Sequence, residues 1–119
     1  MVVLVVDDDP NAAELVGALL EFQGHAAFTA RSPEQALHMA EQVHPDVAFL
    51  DIGLPRMDGF ALADAMGRLP GMDECRFFAI TGFDDIGDRQ KTVASRFEER
   101  LLKPVALETL NRVMRTVAG

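Results

Sequence analysis

"VVLVVDDDP" occupies residues 2–10. Four valines and a leucine run without a polar interruption and then meet three carboxylates and a proline. A half-exposed strand alternates apolar and polar residues, whereas an unbroken apolar run belongs to a strand covered on both faces, as in a parallel sheet. Val47–Leu50 and Phe77–Ile80 repeat the pattern. His25–Ala30 reads as a weaker strand, and Arg100–Leu102 as a short one before Lys103-Pro104.

Helical spacing fills the intervals. Leu15, Leu19 and Phe22 fall on one face of a first helix, with Gly24 placed to close it. Ser32-Pro33-Glu34-Gln35 is a capping box with proline at the first helical position, and Leu37, Ala40 and Val43 give that second helix its apolar face. Leu62, Met66 and Leu69 mark a third helix, a fourth is expected from about Asp85 to Ser95, and Leu107, Leu110, Met114 and Val117 mark the last. Five strand–helix units with buried strands predict a doubly wound α/β sheet, connected right-handedly, whose ligands bind beyond the carboxyl ends of the strands.

The chain has 119 residues, so a single domain over 1–119 is expected. With 49% hydrophobic and 25% charged residues it has the composition of a soluble globular protein rather than a disordered one. No apolar run approaches the roughly 18 residues that span a bilayer, so no membrane partner is expected and a cytoplasmic location is. The lone Cys75 has no partner for an internal disulfide and reads as a bland, partly buried thiol. A formal charge of −8 repels phosphate backbones and argues against direct nucleic-acid binding.

Chemistry collects at the strand ends. The first strand delivers Asp7-Asp8-Asp9, the third Asp51, the fourth Thr81-Gly82 and the fifth Lys103-Pro104. Asp9 before Pro10 reads as a helix N-cap, which leaves Asp7 and Asp8 without a structural role of that kind. Carboxylates held together need a cation, or else one of them keeps its proton. Mg²⁺ suits an all-oxygen site that retains water and phosphoryl positions; His25, His38 and His44 fall elsewhere, so zinc has no ligand set. A divalent ion beside a lysine and a threonine hydroxyl is equipment for phosphoryl transfer, with Asp51 as the nucleophile.

"VLVVDDDP" (3–10), "FLDIGLPRMDGF" (49–60), "FFAITGF" (77–83) and "LLKPV" (101–105) together resemble the receiver domain of two-component response regulators, over essentially the whole chain. The resemblance implies a CheY-like, flavodoxin-like sheet of five parallel strands in the order 2-1-3-4-5. It implies that Asp51 accepts a phosphoryl group from a histidine kinase or histidine phosphotransfer protein. Asp8 would hold Mg²⁺ directly, Asp7 through water, and the Gly53 carbonyl would complete the protein ligands alongside Asp51. Lys103 would pair with phosphoryl oxygens and Thr81 would hydrogen-bond one of them, changing a surface read by a downstream protein. Such a domain is no enzyme beyond its own phosphorylation and dephosphorylation. The Lys103–Pro104 bond would be cis, and Pro55 and Gly59 would shape the loop into the third helix.

The chain departs from the family pattern in three places. Arg100 stands three residues before the lysine, where the family often has an aromatic switch residue, and an arginine is not expected to bury as Tyr or Phe would. Arg96 replaces a common glycine, which points to local irregularity over Ser95–Glu99. Two residues beyond Asp51 and two beyond Thr81 stand Gly53 and Phe83, neither able to orient an attacking water, so a long-lived phosphoryl form is expected.

Other readings fit less well. A haloacid-dehalogenase-type phosphohydrolase wants a second aspartate where Gly53 stands, and a dinucleotide or flavin module wants a glycine loop where the three aspartates stand. A degenerate receiver used only for docking would not keep every chemical position. The chain reads as either a stand-alone receiver or the receiver segment of a longer protein such as a hybrid kinase.

Overall fold

The computed structural model describes residues 1–54, 57–82 and 96–119. Five parallel strands, β1 (Val2–Val6), β2 (Ala26–Ala30), β3 (Val47–Asp51), β4 (Arg76–Thr81) and β5 (Phe97–Leu102), form one sheet in the order β2-β1-β3-β4-β5. This is the doubly wound order expected from the resemblance. Its reversal lies between β1 and β3, which pair directly through Val3–Val6 and Val47–Leu50.

Alternation along the strands divides the core in two. Leu4, Val6, Ala48, Leu50, Phe77 and Ala79 point toward helices α2 (Pro33–Val43) and α3 (Gly59–Gly67). Val3, Val5, Val47, Phe49, Phe78 and Ile80 point toward α1 (Pro10–Phe22) and the C-terminal helix (Leu107–Ala118). Every one of these strand residues is nearly solvent-free, which is why the runs carry no polar alternation. β2 lies at one edge and shows mixed exposure, matching its weaker signal.

The helix ends follow local chemistry. Asp9 caps α1 by accepting from the Asn11 amide, with Pro10 at the first helical position. Gly24, at φ 95°, takes the left-handed conformation that ends α1 and that a β-carbon disfavours. Ser32 Oγ accepts from Gln35 N at 3.1 Å, and Gln35 Oε1 accepts in return from Arg31 N, one residue before the usual reciprocal partner. Asp58 Oδ1 caps α3 by accepting from Ala61 N at 2.8 Å.

Several expectations are corrected. The buried face of α1 is Ala13, Val16, Gly17 and Leu20, whereas Leu15 is 50% and Phe22 82% exposed and Leu19 only half-buried. Small residues let the helix axis approach β2, where the side of Gly17 faces Thr29, so bulk was the wrong guide to the inward face. In α2, Ala36 and Ala40 take the central positions, with Leu37 and Val43 half-buried. Leu107 is 37% exposed, and Leu110, Val113 and Met114 form the inner face of the last helix.

The fifth strand begins at Phe97 rather than Arg100. A register shift between Phe77 and Phe78 accommodates Glu98, which pairs outward with Arg76, while Glu99 pairs with Arg112. The sequence hid this strand because Glu98, Glu99 and Arg100 interrupt its apolar pattern: the two glutamates are neutralised from outside the strand, and the Arg100 guanidinium nitrogens, contrary to expectation, are shut off from solvent. Arg96 closes against α3 with a 3.1 Å bond to Asp64 Oδ1. The expected fourth helix, with Pro55 and Phe83, lies outside the described residues. Cys75 is partly buried, as expected, and burial first, then the nearby Asp46 charge, pushes its thiol up to about 12, which disfavours the thiolate. No described helix is long and apolar enough to cross a membrane.

Candidate functional site

Three polar or charged residues are buried among the described residues, and all three stand at strand ends on one rim: Asp7 (1% exposed), Asp51 (6%) and Thr81 (1%). Asp7 follows β1, Asp51 closes β3 and Thr81 closes β4. Lys103 reaches the same rim from the end of β5, where its amide donates to the Thr81 carbonyl at 2.8 Å. The Lys103–Pro104 peptide is cis, as the resemblance implied.

The carboxylates are tightly tied. Asp7 Oδ1 accepts from Asp9 N at 3.0 Å, and Asp51 Oδ1 accepts from Gly53 N at 2.8 Å. The remaining oxygen of each faces the Lys103 ammonium, at 2.8 Å for Asp7 Oδ2 and 3.2 Å for Asp51 Oδ2. Each buried carboxylate thus spends one oxygen on a backbone amide and one on Lys103. Asp8 is exposed at the mouth, and Thr81 Oγ1 donates to the Gly82 carbonyl at 3.1 Å.

Electrostatics agree with this geometry. Burial holds the Asp51 carboxyl above the usual range, and the Asp7 charge adds to the effect, against the opposing Gly53 amide and Lys103. Lys103 also loses solvation, which pulls its ammonium down, yet bonding and attraction to Asp7 and Asp51 outweigh that loss and hold it above the ordinary lysine value. The two directions are compatible because Asp51 is the more deeply buried partner. Repulsion among the aspartates is therefore offset within the chain itself. Sequence reading assigned Lys103 to the phosphoryl group and left this pairing unseen, because only folding brings Asp7 and Lys103, 96 positions apart by their numbers, to one rim.

Oxygen atoms of Asp7, Asp8 and Asp51 lie within 4.8 Å of one another, and this is the one such metal-capable group among the described residues. No histidine or thiol enters it. Hard, anionic oxygen donors fit Mg²⁺ and would not select zinc. An open cleft of about 400 Å³ borders the rim at Asp7 and Lys103 and runs along Asn11, Leu15, Pro104 and Val105.

Comparison with known proteins agrees. The family model of the response regulator receiver domain matches residues 3–115. The chain is 31% identical over 114 residues to the signal transduction histidine-protein kinase BarA of Escherichia coli, covering 96% of this chain and 12% of that one. It is 32% identical over 117 residues to the response regulator MprA of Mycobacterium avium, covering 98% of this chain and 50% of that one. The CheY-like receiver domain structure from Methylobacillus flagellatus superposes with a TM-score of 0.88 at 29% identity, covering 98% of each chain. A model that matches all but the first two and last four residues, on a sheet of the same topology with its acidic rim in place, leaves one assignment: the chain belongs to the response regulator receiver domains of two-component signalling.

Proposed function

We propose that Asp51 is the phosphoacceptor, within a single receiver domain over residues 1–119, and that a phosphohistidine of a histidine kinase or phosphotransfer protein is the donor. The observation that carries the reading is Lys103 held between Asp7 and Asp51 beside buried Thr81. In the transfer, an Asp51 carboxylate oxygen forms the new O–P bond as the donor's P–N bond breaks, and the electron pair of that bond returns to the imidazole. Lys103 turns from the carboxylates to the incoming phosphoryl oxygens, and the Thr81 hydroxyl leaves the Gly82 carbonyl to donate to one of them. The Gly53 amide keeps the Asp51 side chain aimed during attack.

Asp8, Asp7, Asp51 and the Gly53 carbonyl would hold Mg²⁺, which when bound neutralises the developing charge on the phosphoryl oxygens. Catalysis of this kind extends to the chain's own phosphorylation and dephosphorylation, and the signal passes to a downstream protein. A cytoplasmic location goes with this reading. The chain spans 12% of BarA and 50% of MprA, and a stand-alone receiver and the receiver segment of a longer protein such as a hybrid kinase remain the two contexts for such a domain.

Incubation with Mg²⁺ and acetyl phosphate, followed by intact mass, tests the assignment. One phosphoryl group is expected on the wild type and none on Asp51→Asn or in the presence of chelator. Equal labelling of D51N would refute the acceptor, and turnover of many phosphate esters would favour a hydrolase.

A further inference from the structure

Asp9 carries a charge that its structural task does not need. Its Oδ1 caps α1 by accepting from Asn11 N at 3.0 Å, and no hydrogen bond engages Oδ2 among the described residues. A neutral cap serves the same end, as Ser32 does for α2 through its hydroxyl. Asp9 is exposed, yet it is tied to the acidic rim. Its amide donates to Asp7 Oδ1 at 3.0 Å, and it lines the same cleft as Asp7 and Lys103.

A charge count separates Asp9 from its neighbours. Asp7, Asp8 and Asp51 make up the metal-capable group, and with all three ionised they carry three negative charges. The Lys103 ammonium and one divalent cation supply three positive charges between them, so Asp9 is the surplus once Mg²⁺ is bound. Lys103 is the one cation lining the cleft among the described residues, and it is already committed to Asp7 and Asp51. A phosphodonor approaching this rim with a strongly anionic body therefore meets an uncompensated carboxylate. In water that repulsion is felt over about a Debye length, roughly 8–10 Å at ordinary ionic strength.

We propose that Asp9 sorts phosphodonors by charge. It slows transfer from small, strongly anionic donors such as acyl phosphates, and leaves P–N donors, phosphohistidine among them, comparatively favoured. The inference rests on the assignment of Asp51 as acceptor. In both reactions an Asp51 oxygen forms the new O–P bond. Acetyl phosphate breaks its P–O bond and the electron pair leaves on acetate, whereas phosphoramidate breaks its P–N bond and the pair leaves on the already protonated nitrogen, as ammonia. Acetyl phosphate is the more negatively charged of the two near neutral pH, so it feels Asp9 more. Asp9 stands outside the metal-capable group, and its part is specificity rather than catalysis.

The test is intact-mass labelling kinetics with acetyl phosphate and with phosphoramidate, on wild type, Asp9→Asn and Asp9→Glu. Asparagine keeps the cap and removes the charge, and glutamate keeps the charge. Calorimetric Mg²⁺ titration first sets a saturating concentration for each protein, so that metal affinity does not enter the rates. The ratio of the two donor rates within one sample is also independent of the fraction folded. At low ionic strength D9N should raise that ratio, acetyl phosphate over phosphoramidate, about threefold, and the gain should vanish in roughly 1 M salt, where a solvated charge is screened out. D9E should keep the wild-type ratio. An unchanged ratio in D9N, or a change that persists in high salt, overturns the charge filter, and so does a D9E ratio equal to that of D9N, which would mark a role of shape. Wild type labelled by neither donor overturns the assignment of Asp51 and this inference with it, whereas labelling with an unmoved ratio overturns this inference alone.

Discussion

The Lys103 ammonium lies 2.8 Å from Asp7 Oδ2, closer than its 3.2 Å approach to Asp51 Oδ2. The lysine is therefore the cation shared by the two buried carboxylates of the rim. Replacing it by methionine keeps the stem and removes the charge, leaving two buried carboxylates to repel each other. Lys103→Met should cost about 2 kcal/mol at neutral pH in urea unfolding, below the usual penalty for breaking a fully buried pair because the lysine is partly exposed. Because Lys103 and Mg²⁺ serve the same oxygens, Mg²⁺ should stabilise K103M more than wild type. Equal metal-induced gains in melting temperature would contradict the shared role.

Asp51 gives a pH dependence of defined sign. Its carboxyl is held above the ordinary value of 3.8, with burial as the main cause, so the folded protein binds that proton more tightly than the unfolded chain. The associated stability is complete below 3.8 and is lost as pH rises through the raised value. Asp51→Asn avoids the loss. The stability advantage of D51N over wild type should thus be small in acid and grow toward neutrality in urea melts without Mg²⁺; an advantage that shrinks with rising pH would show that the Lys103 pair outweighs burial.

Gly59 is a close-approach position rather than only a helix start. A β-carbon there would stand 2.6 Å from the Ile52 Cα and 3.0 Å from the Asp51 carbonyl oxygen, both backbone atoms that cannot swing away. Gly59→Ala should cost about 1–3 kcal/mol by overpacking and slow acetyl phosphate labelling, because the clash pushes on the end of β3 at Asp51 itself. Wild-type labelling kinetics in G59A would show that the loop absorbs the strain.

The residues two beyond Asp51 and two beyond Thr81 are Gly53 and Phe83. Gly53 is exposed and presents only backbone to Asp51, while Phe83 lies outside the described residues. The double variant Gly53→Asn, Phe83→Glu adds side chains able to orient a water and should lose its phosphoryl group roughly tenfold faster than wild type. The decay is followed by intact mass after removal of the phosphodonor. A wild-type decay as fast as that of the variant would rule out a long-lived phosphoryl form.

The sheet and the chemical positions were legible in the sequence because both rest on short-range patterns. Unbroken apolar runs identify strands buried on both faces, and the residue following each run must lie at a strand end, so Asp7, Asp51, Thr81 and Lys103 could be brought to one rim without coordinates. The cap residues Asp9 and Ser32 were equally local. Tertiary structure alone decided which side of α1 faces inward, since Ala13 and Gly17 are chosen by the distance of the helix from β2 and not by their own hydrophobicity. It also decided that Lys103 bridges Asp7 and Asp51, and that the Arg100 guanidinium is buried while Glu98 and Glu99 pair elsewhere. Those outcomes depend on which charges meet across the sheet and how much water is excluded between them, quantities that no local pattern of residues contains.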